Sequence, residues 1–254
     1  MSISQSQRTI AIFGATGGTG LATLKFCLSY GHHVNVLVRT PSKLQTLADQ
    51  YLTTLHLTQG DIRSITSLKK VLTSQTGAVV DTIISGIGMA LKGIFMTSTD
   101  PTICFDGTRA ILSSLNELEA EGKMEREPRI VLLSGTGITE KQRDIPLAMI
   151  PLYHGLLCVA HKDKREMENL IMFGDGKGRK WVLVRPSLLV NGEAKGLGAV
   201  RVSSERPEEK GSEKESTAIG YTIRREDVGL WIAEECVKSE AGEEWEGKMV
   251  TLTY

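Results

Sequence analysis

The sequence predicts an α/β fold: a single doubly wound parallel sheet with helices on both faces and a small C-terminal extension. Three features carry that expectation. Arg8-Thr9-Ile10-Ala11-Ile12-Phe13 runs straight into Gly14-Ala15-Thr16-Gly17-Gly18-Thr19-Gly20, a buried strand feeding a glycine-rich turn that opens a helix. Further along, short apolar runs alternate with amphipathic stretches. The runs are continuously apolar, as strands covered by helices on both sides are. With 254 residues, 41% of them hydrophobic, the chain can bury one full core, and a second independent one would be cramped.

The elements follow in order. The first helix is expected from Thr19 to Tyr30, closed by Gly31, and Val34 to Val38 reads as the second strand. Pro41 to Gln50 is helical and Thr54 to Thr58 is a strand ending at Gly60-Asp61. A helix from Ser64 to Ser74, a strand from Val79 to Ser85, a helix from Asp106 to Glu121 and a strand from Arg129 to Ser134 continue the alternation. A long helix from Leu156 to Phe173 leads into Trp181-Val182-Leu183-Val184-Arg185-Pro186. Tyr221-Thr222-Ile223, a helix from Arg225 to Val237 and Lys248 to Leu252 are too few to form their own core and complete the domain, taken as residues 1–254.

Three stretches break this rhythm: Gly86 to Pro101, Gly135 to Pro151 and Asn191 to Thr217. All follow strands at their carboxyl ends, where open α/β sheets hold ligands. Ser203 to Ser216 is too polar to pack and is expected to be a mobile loop.

The glycine turn implies a phosphate ligand. Glycines let the backbone approach closely, and a helix N-terminus offers unpaired N–H donors and the positive end of its dipole. In the GxxGxxG spacing, Gly14 shapes the turn, Gly17 admits a dinucleotide pyrophosphate and Gly20 lets the helix pack on the strand. Leu21-Ala22 stand where a nucleoside-triphosphate loop needs Lys followed by Ser or Thr, so that ligand is disfavoured.

Other classes are excluded by what the chain carries. Thirty basic residues balance thirty acidic ones, so no net field draws it to nucleic acid or an anionic membrane. The N-terminus Met1-Ser2-Ile3-Ser4-Gln5 has no signal-like apolar region and no run is long enough to span a bilayer, which suggests a cytoplasmic protein. Cys27, Cys104, Cys158 and Cys236 lie scattered in apolar stretches and are expected to be reduced core residues. The histidines 32, 33, 56, 154 and 161 lack metal-ligand spacing, and no GxSxG hydrolase motif occurs.

The ordered set of the glycine turn, Val38-Arg39, Gly60-Asp61, Ile130 to Ser134, Lys164 with Glu168, Val184-Arg185-Pro186 and Arg225-Glu226-Asp227-Val228 resembles the atypical short-chain dehydrogenase/reductases, and within them the NmrA-like, NAD(P)-binding subgroup. The resemblance covers nearly the whole chain and implies a Rossmann-type fold with a substrate-side C-terminal extension. It also implies that Lys164 holds the nicotinamide ribose and that Pro186 lies by the cofactor. In typical short-chain reductases a YxxxK pair supplies a proton-donating tyrosine; here the tyrosine position is Ala160.

The second strand argues for NADP as cofactor. It ends on Arg39 instead of a carboxylate, so Arg39 can clamp a 2′-phosphate, with Ser42 and Lys43 close behind. The full expected cofactor set is Gly14, Thr16, Gly17, Gly18, Thr19, Gly20, Arg39, Ser42, Lys43, Asp61, Ile62, Ser85, Gly86, Ile87, Ser134, Lys164 and Pro186. Asp61 serves equally as a turn residue. Ser134, Lys164 and His161 are the candidate catalytic residues, with Thr136, Tyr153 and water as further proton sources. Ile87, Met89, Leu91, Ile94, Phe95 and Met96, with Ile145, Leu147, Met149 and Ile150, are candidate walls of a substrate pocket.

Three functions stay open. One is an NADPH-dependent reductase of a small hydrophobic carbonyl, quinone, flavin or conjugated alkene. The others are an NADP-binding sensor without catalysis and a cofactor-dependent isomerase or cyclase of a biosynthetic intermediate.

Overall fold

A computed structural model of the protein describes residues 7–89, 100–139, 143–207, 217–238 and 240–254. The chain starts with β1 (Thr9–Phe13), α1 (Gly18–Ser29), β2 (His33–Val38), α2 (Gln45–Gln50), β3 (Leu55–Gln59), α3 (Ile65–Leu72) and β4 (Thr82–Ser85). It continues through α4 (Ile103–Ala120), β5 (Arg129–Leu133), α5 (Cys158–Phe173), β6 (Trp181–Pro186) and β7 (Leu188–Val190). The last elements are β8 (Arg201–Glu205), β9 (Thr222–Arg224), α6 (Arg225–Trp231) and β10 (Lys248–Thr253).

Eight strands form one sheet in the order β3-β2-β1-β4-β5-β6-β10-β8. Every neighbouring pair is parallel except β8 with β10. Order reverses between β1 and β4, and this is the switch point at which such sheets open a crevice. Strand β7 pairs with β9 in a separate two-stranded sheet, which is the C-terminal extension.

Alternation along each strand decides which face a side chain reaches. Ile10 and Ile12 join Leu24, Cys27 and Leu28 of α1 and Val228 and Trp231 of α6 on one face. Ala11 and Phe13 join Leu68 of α3, Ile111 and Leu115 of α4, and Met167 and Ile171 of α5 on the other. Both faces are apolar, which explains the unbroken hydrophobic runs.

Several expectations change. The expected strand from Val79 shortens to β4, because Val79 pairs instead with Thr73 in an isolated bridge. Helix α4 begins at Ile103, three residues before the expected Asp106. Residues 203–205 of the expected loop belong to β8, because their backbone pairs with β10; residues 208–216 lie outside the described residues. Cys158 is exposed at the start of α5, so it is not a core residue, while Cys27, Cys104 and Cys236 are buried as expected. Among the described residues, no helix is long and apolar enough to cross a membrane.

Candidate functional site

The β1–α1 turn is built for close approach. Gly14 has φ +78°, and a Cβ there would sit 2.8 Å from the Gly86 carbonyl at the end of β4. At Gly20 a Cβ would lie 2.3 Å from the Gly14 carbonyl oxygen, so both glycines are required for strand and helix to touch. Gly17 is different: a Cβ there meets nothing within 4 Å. It caps α1 in extended conformation without a side-chain bond, and the first turn of α1 carries no acidic residue. The helix end thus presents its N–H groups to open space, a fit for a pyrophosphate. Thr19 Oγ1 is buried beside it with no hydrogen-bond partner among the described residues.

That space is a cleft of about 680 Å³ along the carboxyl ends of the strands. Gly14, Ala15, Thr16, Gly17, Gly18 and Thr19 form its floor, and Val38, Arg39, Gly60, Asp61 and Ile62 form one end. Arg39 is exposed at the end of β2. Asp61 both lines the cleft and accepts the Arg63 N–H at 3.0 Å, so the turn and binding assignments share one residue. Arg63 grips both oxygens of Asp100 at 2.8 and 2.7 Å and holds that carboxyl below its usual range. A carboxylate at this end of the cleft is thereby offset by a cation.

Gly86, Ile87, Gly88, Met89 and Ile103 continue the wall toward Leu133, Leu189 and Lys164. Lys164 Nζ donates to the carbonyls of Leu133 (3.1 Å) and Ser134 (2.7 Å) at the end of β5. Burial pushes its pKa below the ordinary value, against the pull of Cys104, Glu168 and Asp163. Neither neighbouring carboxylate bonds to it. Glu168, one helical turn on, makes a buried bidentate pair with Arg185 of β6 at 2.9 and 2.6 Å. Asp163 accepts the N–H groups of Cys104 and Phe105, both at 2.9 Å, and so caps α4. Lys164 is therefore placed by a helix anchored at two neighbouring positions.

A profile described as NAD(P)H-binding matches residues 14–238. The chain belongs to the NAD(P)H-binding family. Its resemblance to the atypical short-chain reductases is upheld, and so is the Rossmann-type sheet. A similar protein is "Reductase pytE" of Aspergillus terreus, 40% identical over 273 residues, covering 99% of this chain and 100% of that one. "Oxidase pynE" of Aspergillus niger is 34% identical, covering 98% and 99%. Among solved structures, a short-chain dehydrogenase/reductase of Veillonella parvula in complex with NADP matches with a TM-score of 0.72 at 14% identity, over 98% of this chain and 95% of that one. At that identity the match concerns the fold.

Within this NAD(P)H-binding protein, some expected site residues stand away from the cleft wall. Ser42 and Lys43 are exposed on the 3-10 turn after β2 and do not line it. Ser85 is buried one residue before Gly86, and Gly20 is buried as a packing contact. Pro186 is buried in β6, where its carbonyl accepts the Thr136 N–H at 3.1 Å, and it does not line the cleft. Ser134 is 2% exposed, with Oγ lacking a partner among the described residues. His161 packs against the buried Tyr153, ring centroids 5.3 Å apart, and Tyr153 shares a 3.4 Å hydrogen bond with Thr136. That pair lies against Gly137, beyond the end of β5, and is not on the cleft wall.

Of the expected pocket walls, Ile87 and Met89 line the cleft. Leu91, Ile94, Phe95 and Met96 lie outside the described residues. Ile145 is buried and Leu147 is exposed, and Ile145, Leu147, Met149 and Ile150 are all absent from the described lining. Asp163, Asp227 and Arg225 were missed as placing residues. Asp227, fully buried, accepts the N–H groups of Lys195 (3.0 Å) and Gly196 (2.8 Å) and the Tyr254 hydroxyl. An acidic residue inside a helical run gives no local sign that it will bond to a distant segment.

Proposed function

We propose that the protein is an NADPH-dependent reductase acting on a small apolar carbonyl, quinone, flavin or conjugated alkene. One observation carries this reading: a single cleft joins the glycine turn and Arg39 to Lys164, and its far walls, Ile87, Met89, Leu133 and Leu189, are apolar. Similarity to a named reductase and a named oxidase over nearly the whole chain supports redox chemistry.

The residues divide the work along the cleft. The N–H groups of α1 would take the pyrophosphate, and Arg39 a 2′-phosphate through charge-assisted hydrogen bonds. Lys164 keeps two of its three ammonium donors on β5 carbonyls, which leaves one for a ribose hydroxyl. When bound, NADPH supplies the hydride. Apolar walls would orient the acceptor and limit water, so that proximity provides much of the acceleration. Ser134, whose backbone carbonyl takes the Lys164 ammonium, would be the proton source, with Tyr153 and His161 as alternatives.

A redox-neutral or sensing role is favoured by one observation, that the Ser134 hydroxyl, Tyr153 and His161 all sit off the cleft wall. Both readings are separated by NADPH carrying deuterium at C4, offered with carbonyls and enones, whose carbon retains the label, and with quinones and flavins, for which acceptor-dependent oxidation of NADPH is followed instead because deuterium on oxygen or nitrogen exchanges with water. Label in the reduced acceptor is the expected result, and Lys164→Met should slow turnover more than it weakens NADPH binding. No transfer, with NADPH instead changing association with another protein, would replace the reductase by a sensor. Label returned to the cofactor during a redox-neutral rearrangement would indicate an isomerase.

A further inference from the structure

Arg225 opens α6, more than two hundred residues beyond the glycine turn, yet its side chain lies over that turn. A Cβ on Gly18 would be 3.5 Å from both Cδ and Nε of Arg225, and Arg225 lines the cleft. Its position is enforced by packing. Gly229, one helical turn along α6, has so little room that a Cβ there would fall 2.6 Å from the Ala22 Cβ and 2.8 Å from the Thr23 N of α1. Residues four apart share a helix face. The close approach at Gly229 therefore sets Arg225 down at the N-terminus of α1, with the unpartnered Thr19 Oγ1 and the uncapped N–H groups of that helix nearby.

Among the described residues the guanidinium makes one side-chain hydrogen bond, Nη1 to Asn191 Oδ1 at 2.9 Å. It carries five N–H donors, so most of its capacity is left for a ligand in the cleft, whose floor otherwise offers backbone N–H groups and the hydroxyls of Thr16 and Thr19. A cation with no carboxylate bonded to it among the described residues, set beside a helix N-terminus, has one natural counterpart, a doubly charged pyrophosphate.

We propose that Arg225 binds the cofactor pyrophosphate from the side opposite the glycine turn, while Asn191 holds the guanidinium in place. Through this contact the C-terminal extension closes over the phosphates. The proposal rests on the cleft being a dinucleotide site, and it is independent of whether hydride transfer follows.

Affinity is the readout, measured by fluorescence titration of NADPH and NADH and by displacement with adenosine 2′-monophosphate and with inorganic pyrophosphate. Arg225→Met keeps the aliphatic packing on Gly18 and removes the charge. It should weaken NADPH and NADH by the same factor, roughly 10- to 100-fold, and weaken pyrophosphate, while adenosine 2′-monophosphate binds as before. Arg225→Lys, which restores a point charge, should recover part of the loss and serves as the folded control if the Met variant melts early. Unchanged dinucleotide affinity in Arg225→Met would reduce the residue to a brace for Asn191. A loss confined to NADPH and adenosine 2′-monophosphate would assign it to the 2′-phosphate instead. Failure of the unsubstituted protein to bind either dinucleotide would overturn the cofactor site itself.

Discussion

A methyl group at Gly20 would land 2.3 Å from a backbone oxygen, and one at Gly17 would meet empty cleft, although the two glycines belong to one motif. The first serves packing, and the second leaves the room that the proposed pyrophosphate would take. Gly17→Val is accordingly expected to leave circular dichroism and melting temperature unchanged while abolishing NADPH binding in a fluorescence titration. Retained binding would mean that the cleft floor holds no pyrophosphate. At the other end of the cleft, Arg39→Ala should narrow the preference for NADPH over NADH by about 1.5–3 kcal/mol, the worth of a hydrogen bond to a charged partner. Titration with both cofactors checks this, and equal affinities in the unsubstituted protein would remove Arg39 as the discriminating residue. The places of Gly17 and Arg39 on the cleft were legible because they sit at strand ends, where a short motif and its structural setting coincide. Ser42 and Lys43 follow Arg39 on an exposed 3-10 turn and do not line the cleft, a placement that nearness in sequence to Arg39 does not convey.

Helix α4 shows where local reading stops. Its apolar spacing announces a helix, yet its beginning is fixed from outside, by an Asp163 carboxylate 59 and 58 residues away. A cap delivered across the fold has no signature in the segment it caps, so the expected start fell three residues late. Asp163→Ala leaves two N–H groups unmet and should cost about 2 kcal/mol. Urea denaturation would record this as a lower midpoint with an unchanged slope, and an unchanged midpoint would show that α4 caps itself. Helix α5 is read better, since Lys164 and Glu168 one turn apart already place two polar groups on one face. Only the structure reveals that Glu168 answers Arg185 and not the lysine beside it. Strand β8 was hidden by composition: Arg201-Val202-Ser203-Ser204-Glu205 reads as a polar loop, and its pairing with β10 is a tertiary fact.

Across the whole molecule, the parallel sheet was the most readable feature, because burial on both faces leaves its central strands, β1, β4, β5 and β6, largely apolar. Protonation at its lower end sets a response to acid. His32 is buried, accepts the Arg8 N–H on Nδ1 at 3.3 Å and has no partner for Nε2 among the described residues. Burial first, and the nearby Arg8 charge second, hold its pKa below the ordinary value, while Asp81 pulls the other way. The neutral ring thus belongs to the folded state. Its contribution is complete above about pH 6.5, where the unfolded chain is also neutral, and is lost progressively as pH falls toward the lower folded value. Melting temperature should therefore drop more between about pH 7.5 and about pH 5.5 in the unsubstituted protein than in His32→Gln, whose amide does not titrate. Equal drops would exonerate His32. The edges of the same sheet bear on a different matter, the tendency of β-proteins to polymerise. At one margin β8 is only five residues long and begins with an exposed arginine, Arg201, tied to the carbonyls of Ile219 and Tyr254. It ends with Glu205, committed to Arg185. A foreign strand docking there would have to bury one charge and compete for another, so the margin that completes the sheet also discourages its growth into a fibre.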